Sequence, residues 1–281
     1  MRNLKISPYI ALMKLRVVEL LLVTTLPALF LSAKGVPPLG LTIATLVGGT
    51  LAAGASNAFN MIIEVDSDRL MVRTSKRPIV SGAISETQAF IFASALTIVS
   101  LTIFSIFTTL WATVLTAAAI IFYVFGYTIG LKRRTSQNIV WGGIAGCMPV
   151  LIGWAAVTNS LSLTAWLFFL VIFFWTPPHF WALAIRHNDD YKAAGVPMLP
   201  AVVSLRQTIA AMVRYCIAVV VVSLVLIPVA DLGWIYGVVA VIVGLLFLGG
   251  TIALGRRPSE AGAMRLFSFS ITYISLLFLA L

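Results

Sequence analysis

Three oxygen-bearing side chains recur at every fourth residue in the stretch NMIIEVDSDRLMVRTSKRP, which starts at Asn60. On a continuing helix, Asn60, Glu64 and Asp68 lie within about 80° of one another, so all three point to one side. Carboxylate and amide oxygens suit Mg²⁺, and the guanidinium groups of Arg73 and Arg77 suit phosphate oxygens. The stretch therefore predicts a site for a metal-bound diphosphate, with the three oxygen-bearing residues as metal ligands and catalytic groups.

The alternative is a charged helix end that reaches the membrane interface and makes only local ion pairs. Asp66 falls on a different face of the helix and lies outside the stripe. A polar stripe beside intramembrane apolar residues is energetically expensive unless it has a use, which favours the binding site.

A second candidate region is the stretch FWTPPHFWALAIRHNDDYKAAGVPMLP, which starts at Phe174. Pro177 and Pro178 are predicted to interrupt a helix and to free carbonyl groups inside the membrane, which is tolerated only against protein or a cavity. We therefore expect a binding cavity near His179. Its imidazole could contact a substrate or could instead satisfy a buried hydrogen bond.

Arg186 and Asp190 lie four residues apart in the same stretch, with His187 and Lys192 nearby. This cluster predicts a second metal or diphosphate half-site, in which Asp190 is catalytic and Arg186 binds diphosphate. The alternative is a solvated loop. For His187, the sequence favours neither a substrate contact nor a purely structural role over the other.

A weaker candidate is the stretch YTIGLKRRTSQN, in which Tyr127 and Lys132 end a predicted helix. Both are assigned to the diphosphate site, since the Lys132 ammonium could reach a phosphate oxygen. The alternative explanation is topology, because cations collect in the cytoplasmic connections of membrane proteins.

The elements that must position these residues are membrane helices. Of 281 residues, 60% are hydrophobic and 10% are charged, whereas about a quarter of the residues in a soluble domain are charged. The apolar residues run in blocks, which excludes a transmembrane β-barrel. The predicted fold is all-α, a single polytopic membrane domain over residues 1–281 with nine spanning helices. The predicted spans are Val17–Ala33, Leu39–Ile63, Thr87–Thr108, Leu110–Gly130, Ile139–Val157, Leu163–Ile185, Thr208–Ala230, Leu232–Leu254 and Leu266–Leu281.

The cations set the predicted orientation. All except Lys34 lie in the N-terminal tail, which includes Arg2 and Lys5, or in or just beyond even-numbered connections. The positive-inside rule therefore predicts a cytoplasmic N-terminus and an external C-terminus. The same rule accounts for the net charge of +10, so no nucleic-acid partner is expected. Both polar clusters fall on the cytoplasmic side of the predicted cell (plasma) membrane.

These motifs resemble the UbiA-type intramembrane prenyltransferases. The resemblance is carried by the Asn60, Glu64, Asp68 motif and by the strings MVRTSKRP, KRRTSQN, WTPPHFW and DDYKAAGVPMLP. The strings PPHFW and DDYKAAGVPMLP are similar to those of the branch that prenylates haem, since quinone-type relatives carry a spaced DxxxD-like motif there. One departure is Glu64, which stands where many members have Asp and places the same charge on a longer side chain.

The resemblance implies a UbiA-like bundle that transfers the farnesyl group of farnesyl diphosphate to the 2-vinyl group of haem B, with addition of water and release of diphosphate. It implies Mg²⁺ as the cofactor. The implied partners are the two substrates, the lipid bilayer, and a haem A synthase or oxidase assembly partner. The implied diphosphate contacts are Arg73, Arg77, Lys132, Arg186 and Tyr127, and the implied haem contacts are His179 and His187.

Two alternative functions remain at this point. A UbiA-type enzyme could prenylate another aromatic or quinone-precursor acceptor, although the missing spaced aspartate motif argues against it. A membrane transporter would also use intramembrane proline breaks. Its polar residues, however, would line a path through the midplane, whereas here they cluster at helix ends.

Overall fold

The computed structural model describes residues 6–281, apart from the side chains of Val17 and Leu20. The predicted cytoplasmic cations Arg2 and Lys5 lie outside the described residues. Over residues 6–281 the regular structure is helical and contains no strand.

The described chain forms thirteen α-helices and one π-helical segment. They are α1 (Ile6–Met13), α2 (Leu15–Ala33), α3 (Leu39–Ile63), α4 (Val65–Leu70), α5 (Glu86–Phe107), α6 (Leu110–Ile121) with its π-helical continuation Phe122–Leu131, α7 (Asn138–Thr158), α8 (Leu163–Arg186), α9 (Asn188–Ala193), α10 (Leu199–Val202), α11 (Leu205–Ala230), α12 (Trp234–Arg256) and α13 (Glu260–Leu279).

Eight helices of the described chain are long and apolar enough to cross a membrane. They are α3, α5, α6 with its π-helical continuation, α7, α8, α11, α12 and α13, and Leu21–Ala33 of α2 is a shorter apolar stretch. The all-helical membrane class is therefore confirmed. The count of nine spans and the orientation of the termini stay predictions.

The contacts of the chain divide it into two compact units. The first runs through Gly130 and includes Ile152–Ser160, and the second consists of Leu131–Leu151 and Leu161–Leu281. In the first unit, α3 packs against α1, α2, α5 and α6. In the second, α8 packs against α11 and α13, and α12 packs against the same two helices. The single domain over residues 1–281 stays a prediction.

Small residues let α3 and α5 approach closely in the first unit. The Ser100 hydroxyl donates to the carbonyl of Gly48 at 2.7 Å, and a Cβ on Gly48 would lie 2.8 Å from a ring carbon of Phe104. Membrane helices associate through such close packing and interhelical hydrogen bonds, because burial from water gives little driving force there. This contact fixes α3, whose far end carries the acidic motif.

Two predicted helices differ from the structure. The predicted interruption at Pro177 and Pro178 is wrong, because α8 continues through both prolines. Neighbouring helices can hold a proline-containing helix together in a membrane, and α11 and α13 flank α8 here. The predicted span Leu110–Gly130 changes at Phe122 from an α-helix to a π-helix, a form often found at functional sites.

Candidate active site

The predicted acidic stripe crosses a break between two helices. Glu64 joins α3 to α4 with φ −101° and ψ 9°. The backbone N–H of Glu64 still donates to the carbonyl of Asn60 at 3.0 Å, and the N–H of Asp68 donates to that of Glu64 at 2.8 Å. The four-residue spacing of the motif is therefore kept through the break. All three side chains belong to buried residues.

Arg77 returns to Asp68 through a turn that follows α4. The Thr74 hydroxyl donates to the carbonyl of Asp68 at 3.0 Å, and the Arg77 N–H donates to the carbonyl of Thr74 at 3.0 Å. The turn places the Arg77 guanidinium against Asp68 Oδ2 in an ion pair. The Asp68 side chain is only 1% exposed and that of Arg77 is 15% exposed, so solvent screens this pair weakly.

The second oxygen of Asp68 shows what the motif could bind. Asp68 Oδ1 is buried and has no hydrogen-bond partner among the described residues. An unpaired buried carboxylate oxygen is costly unless a ligand uses it. The same part of the chain contains no group of three or more His, Cys, Asp or Glu side chains that could enclose a metal ion. This open arrangement suits Mg²⁺, which usually keeps several waters and shares substrate phosphates with one or two carboxylates.

The amide of Asn60 is held from both sides. Its Oδ1 accepts from Lys14 Nζ at 3.2 Å, and its Nδ2 donates to Thr128 Oγ1 at 3.3 Å. The Thr128 hydroxyl itself donates to the carbonyl of Tyr123, five residues earlier in the π-helical segment, at 2.9 Å. These bonds fix the amide so that its oxygen faces a cationic group.

The junction of α1 and α2 brings Lys14 to this position. Lys14 adopts a left-handed backbone conformation with φ 51°, which is uncommon for a residue with a side chain. The Asn57 side chain donates to the carbonyl of Met13 at 3.0 Å and fastens the junction to α3. Sequence reasoning missed Lys14 and Thr128 as site residues, because both lie far from the motif along the chain and carry no local spacing signal.

Other polar residues of the first unit are less buried than the motif. Asp66 and Arg69 form a 3.5 Å ion pair between side chains that are 88% and 58% exposed, outside the buried motif. Arg73 is also exposed. Tyr127 is partly buried, and its ring lies 5.5 Å from that of Tyr123.

In the second unit the predicted polar cluster is divided between two pairs. His187 Nδ1 lies 3.7 Å from Asp190 Oδ2, across the junction of α8 and α9. Arg186 instead forms an ion pair with Glu260, in the first turn of α13. Arg186 and Asp190 thus have different partners, and the structure places Arg186 beside a carboxylate that sequence reasoning did not consider. Lys132 is half-buried, and its carbonyl accepts from Asn138 Nδ2 at 3.0 Å.

His179 is buried in a stack of aromatic rings. Its ring centroid lies 4.2 Å from that of Trp175 and 4.5 Å from that of Phe267, on α13. The Nδ1 atom of His179 is hydrogen-bonded to Ser270 Oγ at 2.6 Å, and the Trp175 indole donates to the carbonyl of Ser270 at 2.7 Å. The imidazole therefore links α8 to α13, and its predicted contact with haem stays a prediction.

Part of the motif DDYKAAGVPMLP serves packing. Tyr191, Val196 and Met198 form a buried apolar cluster with Ala184 of α8 and Ile139 of α7. Their burial holds the connection after α8 against the helices of its own unit. The string therefore combines polar residues with the apolar residues that position them.

Comparison with known proteins identifies similar chains over nearly the full length. The sequence profile of the UbiA prenyltransferase family matches residues 21–278. The protoheme IX farnesyltransferase of Frankia alni is 50% identical, with 99% of this chain and 98% of that protein covered. The protoheme IX farnesyltransferase of Streptomyces coelicolor is 49% identical, with 99% of this chain and 90% of that protein covered.

Solved structures show a similar fold. A UbiA homologue from Aeropyrum pernix matches with a TM-score of 0.76 at 20% identity, covering 94% of this chain and 96% of that one. A UbiA homologue from Archaeoglobus fulgidus, bound to DMAPP and Mg²⁺, matches with a TM-score of 0.70 at 16% identity, covering 97% and 98%. At such low identity these matches establish the shared fold and nothing finer.

Proposed function

The chain belongs to the UbiA prenyltransferase family, and we propose that it acts as a protoheme IX farnesyltransferase. The farnesyl group of farnesyl diphosphate is transferred to the 2-vinyl group of haem B, water adds, and diphosphate leaves, which gives haem O. The observation that carries this proposal is the identity of about half of all residues, over nearly the whole chain, with relatives of that name.

The motif at the end of α3 supports the use of Mg²⁺. Asn60, Glu64 and Asp68 would hold the ion, because they supply buried amide and carboxylate oxygens and because Asp68 Oδ1 needs a partner. The bound ion would withdraw charge from the diphosphate oxygens as the allylic C–O bond breaks. Waters and diphosphate oxygens would complete its coordination.

The residues around the motif have separate tasks in this proposal. Arg77 pairs with the Asp68 carboxylate and orients it, and Arg73 and Tyr127 contact the diphosphate. Lys132 and Arg186, which belong to the other unit, are proposed diphosphate contacts on the sequence pattern alone. Positive groups near the leaving diphosphate stabilise the charge that develops on it.

The carbon chemistry needs no nucleophile from the protein. The ionised farnesyl group is an allylic cation, which the electron-rich vinyl group attacks. Water then adds to the new cation on the porphyrin side and releases a proton, leaving a hydroxyl group. The protein must orient the two substrates and keep bulk water from the first cation. His179 and His187 are the proposed haem contacts, and Asp190 is the proposed catalytic carboxylate of the second cluster.

We further propose that the reaction takes place on the cytoplasmic side of the plasma membrane. The support is the cation distribution, which predicts that the connections after α3 and α8 are cytoplasmic. The bilayer would supply the apolar surroundings of the farnesyl chain. A haem A synthase or oxidase assembly partner that receives haem O is the proposed downstream partner.

The direct experiment is to incubate the detergent-purified protein with haem B, farnesyl diphosphate and Mg²⁺, and to analyse the extracted porphyrins by chromatography and mass spectrometry. We expect haem that has gained one farnesyl group and one hydroxyl group. A chelator should abolish the product, and Asp68→Ala should lower turnover by at least about a hundredfold, the scale of losing a key electrostatic stabiliser.

Asp66→Ala is the matched control. It removes a carboxylate from the same short helix, and the Asp66 side chain is 88% exposed. It should retain turnover within about twofold. Unmodified haem from a folded wild-type sample would refute the proposed acceptor, and a panel of aromatic acids and quinone precursors would then be tested.

A further inference from the structure

A cavity of about 570 Å³ opens within the second unit, beside α8 and α11. We call it the α8–α11 cavity. Its volume falls within the range of about 300–1,000 Å³ that is typical of small-molecule and cofactor sites. Its aromatic wall consists of Phe174 and Trp181 from α8 and Tyr215 from α11. These rings supply a broad apolar surface for a flat ligand.

The same cavity is lined by three polar side chains. Gln137 precedes α7, Gln207 lies in the first turn of α11, and Arg214 lies two turns further along that helix. Arg214 is about 14 Å from the start of α11, given a rise of about 1.5 Å per residue. A guanidinium at that depth is costly against lipid and usually faces a cavity or a partner. Arg214 is exposed and its Nε donates to the carbonyl of Ala210 at 3.4 Å. Its side chain also lines the cavity, so the charge favours an anionic ligand there.

Trp181 contributes to the aromatic wall from a buried position. The residue is only 1% exposed, and its indole Nε1 is buried without a hydrogen-bond partner among the described residues. Because that nitrogen is inaccessible to solvent, the residue contributes apolar ring surface to the cavity. The wall thus combines aromatic rings, two amides and a guanidinium.

We propose that the porphyrin acceptor binds in the α8–α11 cavity and that the edge of the porphyrin that carries its carboxylates contacts the polar side chains there. This inference rests on the proposed function and locates the acceptor of that reaction. Haem carries both propionates on one edge of a flat apolar ring. The carboxylates would lie against Arg214, Gln207 and Gln137, and the ring would lie against Phe174, Trp181 and Tyr215. Neither His179 nor His187 lines this cavity in the described structure. This placement of the ring is therefore an alternative to the haem contacts proposed above for these two residues, and it concerns the propionates and not the iron ligand.

The test is a spectrophotometric titration of detergent-purified protein with haem B and with its dimethyl ester, whose propionates are uncharged. Wild-type protein should bind haem at least about tenfold more tightly than the ester, the scale of one charge-assisted hydrogen bond. Arg214→Gln should weaken haem binding by a similar factor, and it should bind haem and the ester equally.

Arg206→Gln is the control, because Arg206 is an exposed cation on the same helix and does not line the cavity. Its haem affinity should stay within about twofold of wild type. Gel filtration and the melting temperature establish that both variants are folded. The KM for farnesyl diphosphate should not change in Arg214→Gln, whereas the KM for haem should rise.

The outcomes separate this proposal from the proposed function. If the wild type converts haem and Arg214→Gln binds haem as tightly as the wild type does, the cavity assignment is overturned and the proposed function stands. Haem neither bound nor converted by the wild type would refute the proposed function and the assignment with it. Loss of co-purified anionic lipid in Arg214→Gln, with haem affinity unchanged, would overturn the assignment in favour of a lipid headgroup site.

Discussion

The ion pair between Asp68 and Arg77 can be tested by a double-mutant cycle. Arg77→Met removes the guanidinium and leaves a carboxylate that is only 1% exposed without its partner. Breaking a buried ion pair in this way costs about 3–5 kcal/mol. Asp68→Asn should cost less, about 1–2 kcal/mol, because the Arg77 side chain is 15% exposed and keeps some access to solvent.

The double variant should recover part of this loss, because it leaves no unpaired buried charge. We expect it to be more stable than the sum of the single effects by at least about 2 kcal/mol, within the range of coupling energies for residues in contact. The free energies are measured by reversible unfolding in mixed micelles. Haem farnesylation, measured in parallel, should fall by at least about a hundredfold in all three variants.

Arg69→Met is the matched control for this cycle. Arg69 pairs with Asp66 at 3.5 Å, and both side chains are largely exposed, so the variant should change stability by at most about 1 kcal/mol and should keep its activity. If the effects of Asp68→Asn and Arg77→Met simply add, within about 0.5 kcal/mol, the two buried charges do not interact and the reasoning is refuted.

The contacts of Lys14 and His179 and the predicted membrane topology can each be tested by substitution. Lys14→Met should lower farnesyl transfer by about tenfold, because it removes the charged hydrogen bond that orients the amide of Asn60, a proposed metal ligand, and turnover within twofold of wild type would contradict that role. His179→Ala should weaken haem binding more than Ser270→Ala, because only the first change removes the imidazole; equal haem affinities would reduce His179 to a link between helices. The predicted topology places Lys34 outside the cell and Ser75 inside it, so a membrane-impermeant maleimide should label Lys34→Cys but not Ser75→Cys in intact cells. The two native cysteines are buried and should add little labelling of their own. The reverse labelling would invert the predicted topology.

The part of the site that follows local spacing could be predicted from the sequence. Asn60, Glu64 and Asp68 stay in register because hydrogen bonds to the fourth residue continue through the helix break. Lys14 and Thr128 could not be found in this way, since they reach Asn60 from 46 and 68 residues away. Their contacts depend on helix packing, and periodicity along the chain carries no information about it.

The predicted interruption of α8 was wrong for a related reason. Each proline ring removes a backbone donor, but the sequence does not show which neighbouring helices stabilise a helix that contains them. The predicted spans agree with the structure much better, since a membrane helix depends mainly on its own apolar length. Leu39–Ile63, for example, has the same bounds in the prediction and in the structure.

The two polar motifs are built by the same local device, although they share little residue identity. α3 ends at Glu64 (φ −101°, ψ 9°), and α8 ends at His187 (φ −106°, ψ 29°). Each break is followed by a helix of six residues with two aspartates in its first turn, where carboxylates interact favourably with the helix dipole. The bridge region of backbone conformation turns the chain without losing the hydrogen bond across the break.

This device solves a problem specific to membrane enzymes. A spanning helix is apolar for most of its length, so residues that handle charged substrates must cluster where it ends. A break with a retained hydrogen bond lets the chain change direction there and keeps backbone groups on both sides of the junction paired, which matters near the hydrocarbon region. In the first unit, Glu64 and Asp68 are buried at the break and Asp68 pairs with Arg77. In the second unit, the break brings His187 to Asp190. Because each unit carries its own break, a change that straightens one junction should impair the polar residues that follow it in that unit.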